Sequence, residues 1–154
     1  MTDGNSRVLE RADIESHIPH RYPMLLIDRI IDRSPGRCVA VKNVGISDWF
    51  FEGHFPGRPI MPGCLLAEAM AQAGNFLGRS QESVGRTPVR VTEAFLLSSE
   101  TRFLKAVLPG DQIIITARLI RRDAKIVRFK SDAHVSGEIV ATGTYVAMVH
   151  EEAG

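Results

Sequence analysis

Apolar residues along this chain follow two different rhythms. Between residues 63 and 78 they crowd together at helical spacing; elsewhere they come in short branched runs broken by turn signals. The runs at 24–31 (MLLIDRII) and 38–46 (CVAVKNVGI) predict strands, with Ser34-Pro35-Gly36 as the turn between them. Beyond residue 87 the pattern predicts strands at about 88–97, 101–108, 112–121, 125–135 and 138–149. Pro109-Gly110-Asp111, Arg122-Asp123-Ala124 and Ser136-Gly137 separate the last four, as antiparallel hairpins require. Asp13 is placed to cap a short helical turn ending at Pro19, and residues 1–12 are polar enough to be expected to fray.

The long helix is expected over Gly63 to Gly78, with Pro62 at its start. Leu65, Leu66, Ala69, Met70, Ala73, Phe76 and Leu77 leave it almost no polar face, so it must be buried nearly all round. Only Glu68, Gln72 and Asn75 interrupt it, along one stripe at i, i+4, i+7. One long antiparallel sheet wrapped around one central apolar helix is an α+β architecture, the hot-dog fold, filling residues 1–154 as a single domain. A helix this apolar under one sheet leaves surface that a monomer struggles to cover, so a two-fold dimer with edge-to-edge sheets is expected.

Composition narrows the function classes. The apolar share is 44%, the charged share 24% and the net charge +1, so no basic field points to nucleic acid. Cys38 and Cys64 are too few for a disulfide framework or a zinc site. No apolar run approaches a membrane span, and the N-terminus carries acids where a signal peptide would be apolar. The expectation is a cytoplasmic protein.

Candidate chemistry gathers in GHFPGRPIMPGCLLAEAMAQ, residues 53–72, which carries one histidine, His54, and one carboxylate, Glu68. A lone carboxylate on a buried helix costs several kcal/mol unless it is paired or protonated. Gln72, a backbone amide or an arginine could satisfy Glu68 structurally, and an isolated histidine is most often a satisfied or exposed one. Their setting favours chemistry instead. His54 sits in a loop fixed by glycine and proline, just before the helix that carries Glu68, and the helix start offers unpaired amides at Gly63 and Cys64. An acid–base pair beside an oxyanion-binding helix end suits proton abstraction next to a carbonyl.

The segments HRYPMLLIDRI (20–30), VKNV (41–44), GHFPGRPIMPG…LLAEAMAQ (53–72) and RF…PGDQ (102–112) closely resemble the FabZ-type 3-hydroxyacyl-acyl-carrier-protein dehydratases of bacterial type II fatty acid synthesis. The resemblance covers about residues 14–149 in the family's order. It implies removal of water from a (3R)-hydroxyacyl thioester to give the trans-2-enoyl thioester, with His54 and Glu68 as the catalytic pair, drawn from opposite subunits of a dimer. It further implies that the Gly63 amide receives the thioester oxygen, that Gln72 orients Glu68 and that the Ile60 carbonyl fixes the His54 tautomer. Phe55, Met61, Cys64 and Leu97 are the tunnel residues it suggests. No metal or organic cofactor is implied. Acyl carrier protein is the implied partner, and the dimers could assemble further into a trimer of dimers.

Two departures stand out. Cys64 occupies a position commonly valine in this family; it is also cysteine in the related FabA-type dehydratase/isomerases, which carry aspartate where this chain has Glu68. Cys64 is expected to be a small buried hydrophobe, since no base adjoins it. In AFLLSSET (94–101), Leu97, Ser98 and Ser99 replace the family's usual Gly-Ile-Asp, which puts substrate preference in question. The basic residues between Arg118 and Lys130 read as solvated strand and hairpin charges, with carrier-protein docking as the alternative; alternation puts Arg118 and Arg122 on one face. An acyl-thioesterase would not need His54, and a non-catalytic thioester-binding subunit would need neither His54 nor Glu68.

Overall fold

The structure, a computed structural model, describes residues 7–77 and 89–153. In chain order it contains α1 (Arg11–His17), β1 (Arg29–Ser34), β2 (Arg37–Asn43), a 3-10 turn at Trp49–Phe51, α2 (Gly63–Gly74), β3 (Val89–Phe103), β4 (Gln112–Asp123), β5 (Ile126–Val135) and β6 (Glu138–Ala153). The strands form one sheet in the order β1-β2-β4-β5-β6-β3, every neighbour antiparallel. Helix α2 packs against the middle of that sheet, chiefly on β4 and β5. This is the hot-dog arrangement.

Alternation explains how the sheet receives the helix. Along β4, Ile113, Ile115 and Ala117 are buried while Arg118 is exposed. From α2, Leu66, Ala69, Met70 and Ala73 meet that inner face, and Phe129 and Tyr145 close the core, ring on ring at 5.4 Å. Phe129 lies so close to Gly74 that a β-carbon there would fall 2.1 Å from its ring, which fixes glycine at this crossing. Helix α2 stops at Gly74, short of the expected Gly78, which lies outside the described residues. Three successive amides, of Asn75, Phe76 and Leu77, bond three residues back, tightening the chain out of α-helical winding.

Several expected boundaries move. Only the end of 24–31 enters β1, because the Leu26 amide is taken by the Gln72 side chain and not by a neighbouring strand. The expected strands at 88–97 and 101–108 are one continuous β3, with residue 88 outside the described chain and 104–111 a loop. Bulges between Val91 and Glu93 and between Leu96 and Ser98 let β3 run on through its polar stretch. Asp13 is not the cap of α1: Glu10 is, and the Asp13 carboxylate accepts the Glu10 amide from inside the first turn (3.1 Å). The expected fraying fails for residues 7–12, where Leu9 is buried and bridges Ile30 by two backbone bonds. A bulge at Ile120 also breaks the alternation that put Arg118 and Arg122 on one face, and half-buried Arg122 turns to Glu151 (2.8 Å).

Candidate active site

His54 is held by its own loop. Its amide bonds the Phe50 carbonyl (3.0 Å), its carbonyl accepts the Ile60 amide (3.0 Å), and Phe55 and Arg58 exchange two backbone bonds around Gly57, whose φ is +72°. His54 Nδ1 lies 2.7 Å from the Ile60 carbonyl oxygen. A carbonyl only accepts, so Nδ1 carries the proton and Nε2 is left as the basic nitrogen of the neutral ring. The imidazole borders an open cleft of about 380 Å³ with Met61, Gly63, Phe103 and Lys105. Gly63 has Phe103 directly over it, where a β-carbon would sit 3.0 Å from the ring. The Gly63 and Cys64 amides have no backbone acceptor among the described residues, as expected for the start of a helix.

Glu68 is built from the opposite direction. Gln72, one turn on and fully buried, accepts the Leu26 amide (3.0 Å), donates to the Met24 carbonyl (2.6 Å) and donates to Glu68 Oε1 (2.9 Å). One amide side chain thus ties loop 24–26 to α2 and orients the carboxylate. His20 Nε2 stands 3.5 Å from the same Oε1, within ion-pair reach but longer than a formed hydrogen bond. Together His20, first, and Gln72 hold the Glu68 carboxyl below its ordinary value, against the opposing push of burial. The cavity beside Glu68 is small, about 70 Å³, with room for a few waters and not for an acyl chain.

The chain by itself does not join the two groups. At roughly 100° per residue, Gly63 and Leu66, which border the His54 cleft, point roughly 160° away from Glu68, Ala71, Gln72 and Asn75, which border the other cavity. His54 and Glu68 therefore open on opposite sides of α2.

The remaining expected residues scatter. Met61 is buried in the His54 cleft wall. Phe55 stacks on the His54 ring (3.9 Å between centroids) but borders a separate 450 Å³ hollow with Trp49 and Ile46. Cys64, expected to be buried, is exposed, because the first turn of α2 projects outward from the single chain. Leu97 sits at the β3 bulge, 54% exposed, and borders neither the His54 cleft nor the Glu68 cavity; Phe95 and Leu96 line the latter instead. Sequence reasoning missed His20, although it opens the HRYP segment: nothing local ties a residue at 20 to one at 68. Among the described residues no cluster could hold a metal ion, and no helix is long and apolar enough to cross a membrane.

The FabA-like domain model matches residues 18–144. The 3-hydroxyacyl-[acyl-carrier-protein] dehydratase FabZ of Salmonella arizonae is 41% identical over 150 residues, 97% of this chain and 98% of that one. The FabZ of Oleidesulfovibrio alaskensis is 40% identical over 153 residues, 97% and 96% of the two chains. Among solved structures, the dehydratase heterocomplex ApeI:P from Xenorhabdus doucetiae superposes with a TM-score of 0.74 at 21% identity, covering 89% of this chain and 90% of that one, a likeness of fold. The chain belongs to the FabA-like family, alongside relatives named as FabZ 3-hydroxyacyl-[acyl-carrier-protein] dehydratases.

Proposed function

We propose that this chain removes water from (3R)-hydroxyacyl thioesters of acyl carrier protein, giving trans-2-enoyl thioesters in type II fatty acid synthesis, with each active site shared between two copies. His54 Nε2 takes the proton from C2. The electron pair left behind forms the C2–C3 double bond and expels the C3 hydroxyl, which leaves as water with a proton from the Glu68 carboxyl or a water it holds. The Gly63 amide receives the thioester oxygen as negative charge builds there. Return of the proton from His54 to Glu68 closes the cycle. Neither metal nor organic cofactor has a task in this sequence of steps.

The observation that carries this reading is the His54–Ile60 bond, which leaves a basic Nε2 beside the free amides of α2. Sharing between copies is supported by the opposed placement of His54 and Glu68 and by the β3 edge, where Phe95, Leu96, Leu97 and Phe103 are about half exposed. Edge-to-edge pairing through β3 would cover them. It would also bury Glu68 further, and burial pushes a carboxyl back up toward the protonated form an acid needs. The work would be done in the cytoplasm.

The test is incubation with 3-hydroxyacyl and 2-enoyl thioesters of several lengths, on carrier protein and on pantetheine. Water loss, or hydration of the enoyl form, is the expected result. Thioester cleavage with neither would replace the dehydratase reading with a thioesterase.

A further inference from the structure

The dehydration steps above leave one side chain of the Glu68 cavity unused. His20 follows α1 and is only 17% exposed. Its backbone is pinned by Arg21, whose guanidinium donates to the carbonyls of His20 (2.7 Å), Ile18 (2.9 Å) and Glu15 (2.9 Å). Its Nδ1 is buried without a hydrogen-bond partner among the described residues, so its one polar contact is Nε2 toward Glu68 Oε1. A mostly buried imidazole with one ring nitrogen unpartnered is costly to keep without a task.

Glu68 is asymmetric. Oε1 meets both Gln72 Nε2 (2.9 Å) and His20 Nε2 (3.5 Å), whereas Oε2 has no hydrogen-bond partner among the described residues. We propose that His20 is a positioning residue for Glu68: Gln72 holds Oε1 by a hydrogen bond, His20 Nε2 faces the same oxygen within ion-pair reach, and Oε2 is left as the oxygen that meets water or the departing hydroxyl. This rests on the reading of Glu68 as the catalytic carboxyl. Among the described residues the cavity has no other titratable side chain, its remaining walls being Asn75, Phe95, Leu96, Phe129 and the small or amide residues of α2, β3 and β6. Among the described residues, His20 is thus the one titratable group whose removal would act directly on the charge of Glu68. Removing the donor withdraws the largest influence holding the carboxyl down, so its midpoint should rise.

The test compares His20→Leu, which removes the donor, with His20→Gln, whose amide can place an N–H near the position of Nε2 without titrating. The Glu68 carboxyl is followed by carbon-13 NMR on glutamate-labelled full-length protein, its resonance assigned through Glu68→Gln. In parallel, kcat and KM for a 3-hydroxyacyl thioester are measured across pH. His20→Leu is expected to raise the Glu68 midpoint, and to lower kcat by about tenfold or more with KM little changed, the lost aim of the carboxyl outweighing its larger protonated share. His20→Gln is expected to restore both to near wild type. An unmoved Glu68 midpoint in His20→Leu, or equal losses in Leu and Gln, would overturn the proposal. If His20→Leu fails to fold, His20→Asn, whose shorter amide falls short of Glu68, takes its place. If no dehydration is seen for wild type, the reading of Glu68 falls, but the carboxyl titration still decides whether His20 sets its state.

Discussion

Replacing Gln72 by methionine keeps the volume of the side chain while deleting three hydrogen bonds at once. The Leu26 amide is buried and would lose its only acceptor among the described residues, the Met24 carbonyl would lose a 2.6 Å donor, and Glu68 would lose its 2.9 Å donor. An unsatisfied buried polar group costs about 1–3 kcal/mol. The Leu26 amide should cost that in full; the Met24 carbonyl belongs to a residue 44% exposed and can regain water, so it counts for less. The apolar methionine recovers little, because it occupies about the same buried volume as the glutamine it replaces. A loss of about 2–4 kcal/mol follows, a large share of the 5–15 kcal/mol typical of a whole domain. The assay is urea unfolding at fixed protein concentration, comparing midpoints at equal slope. A loss below about 1 kcal/mol would show that Gln72 does not tie loop 24–26 to α2.

Other perturbations reach other parts of the account. Gly74→Ala pushes a β-carbon into the Phe129 ring and should lower stability by about 1–3 kcal/mol in the same unfolding assay, whereas alanine in an uncrowded helix would add stability. Glu68 has a depressed carboxyl value in the folded chain, so its contribution to stability is present above the ordinary carboxyl value near 4.5 and is lost as pH falls through the folded value. Unfolding free energy should therefore fall more steeply with acid in wild type than in Glu68→Gln; parallel curves would contradict it. His54→Ala and Glu68→Gln should each lower turnover at least about 100-fold, with the double variant little worse than the worse single, as kinetics on 3-hydroxyacyl thioesters would show.

Much of this molecule was legible in its sequence because the strongest patterns are local. An almost wholly apolar run from Leu65 to Leu77 could only be a buried helix, and the turn signals around it could only punctuate antiparallel strands. The orienting roles of Ile60 and Gln72 are what the family resemblance implies; the contacts themselves are 2.7 Å from His54 Nδ1 to the Ile60 carbonyl and 2.9 Å from Gln72 Nε2 to Glu68. Long-range placement was not legible. His20 and Glu68 are 48 residues apart, and only the fold brings them within 3.5 Å. Residues Ser98 to Glu100 read as a break because they are polar, yet an edge strand carries polar residues without ending. Leu97 could not be aimed from sequence, because a bulge between Leu96 and Ser98 shifts the very parity on which the aim depends. Cys64 looked buried beside apolar neighbours, but the start of α2 faces outward in a single chain.

The claim that matters most is that one chain supplies His54 and another supplies Glu68. Equal amounts of His54→Ala and Glu68→Gln subunits, each inactive alone, should be mixed and allowed to exchange, with mixed dimers verified by mass. A mixed dimer then joins the intact His54 of one chain to the intact Glu68 of the other at one of its two sites. Dehydration of a 3-hydroxyacyl thioester should return to about a quarter of the wild-type rate, because about half the dimers are mixed and each carries about half its sites intact. Verified mixed dimers with no activity above the parent variants would contradict the shared site and return both residues to a single chain.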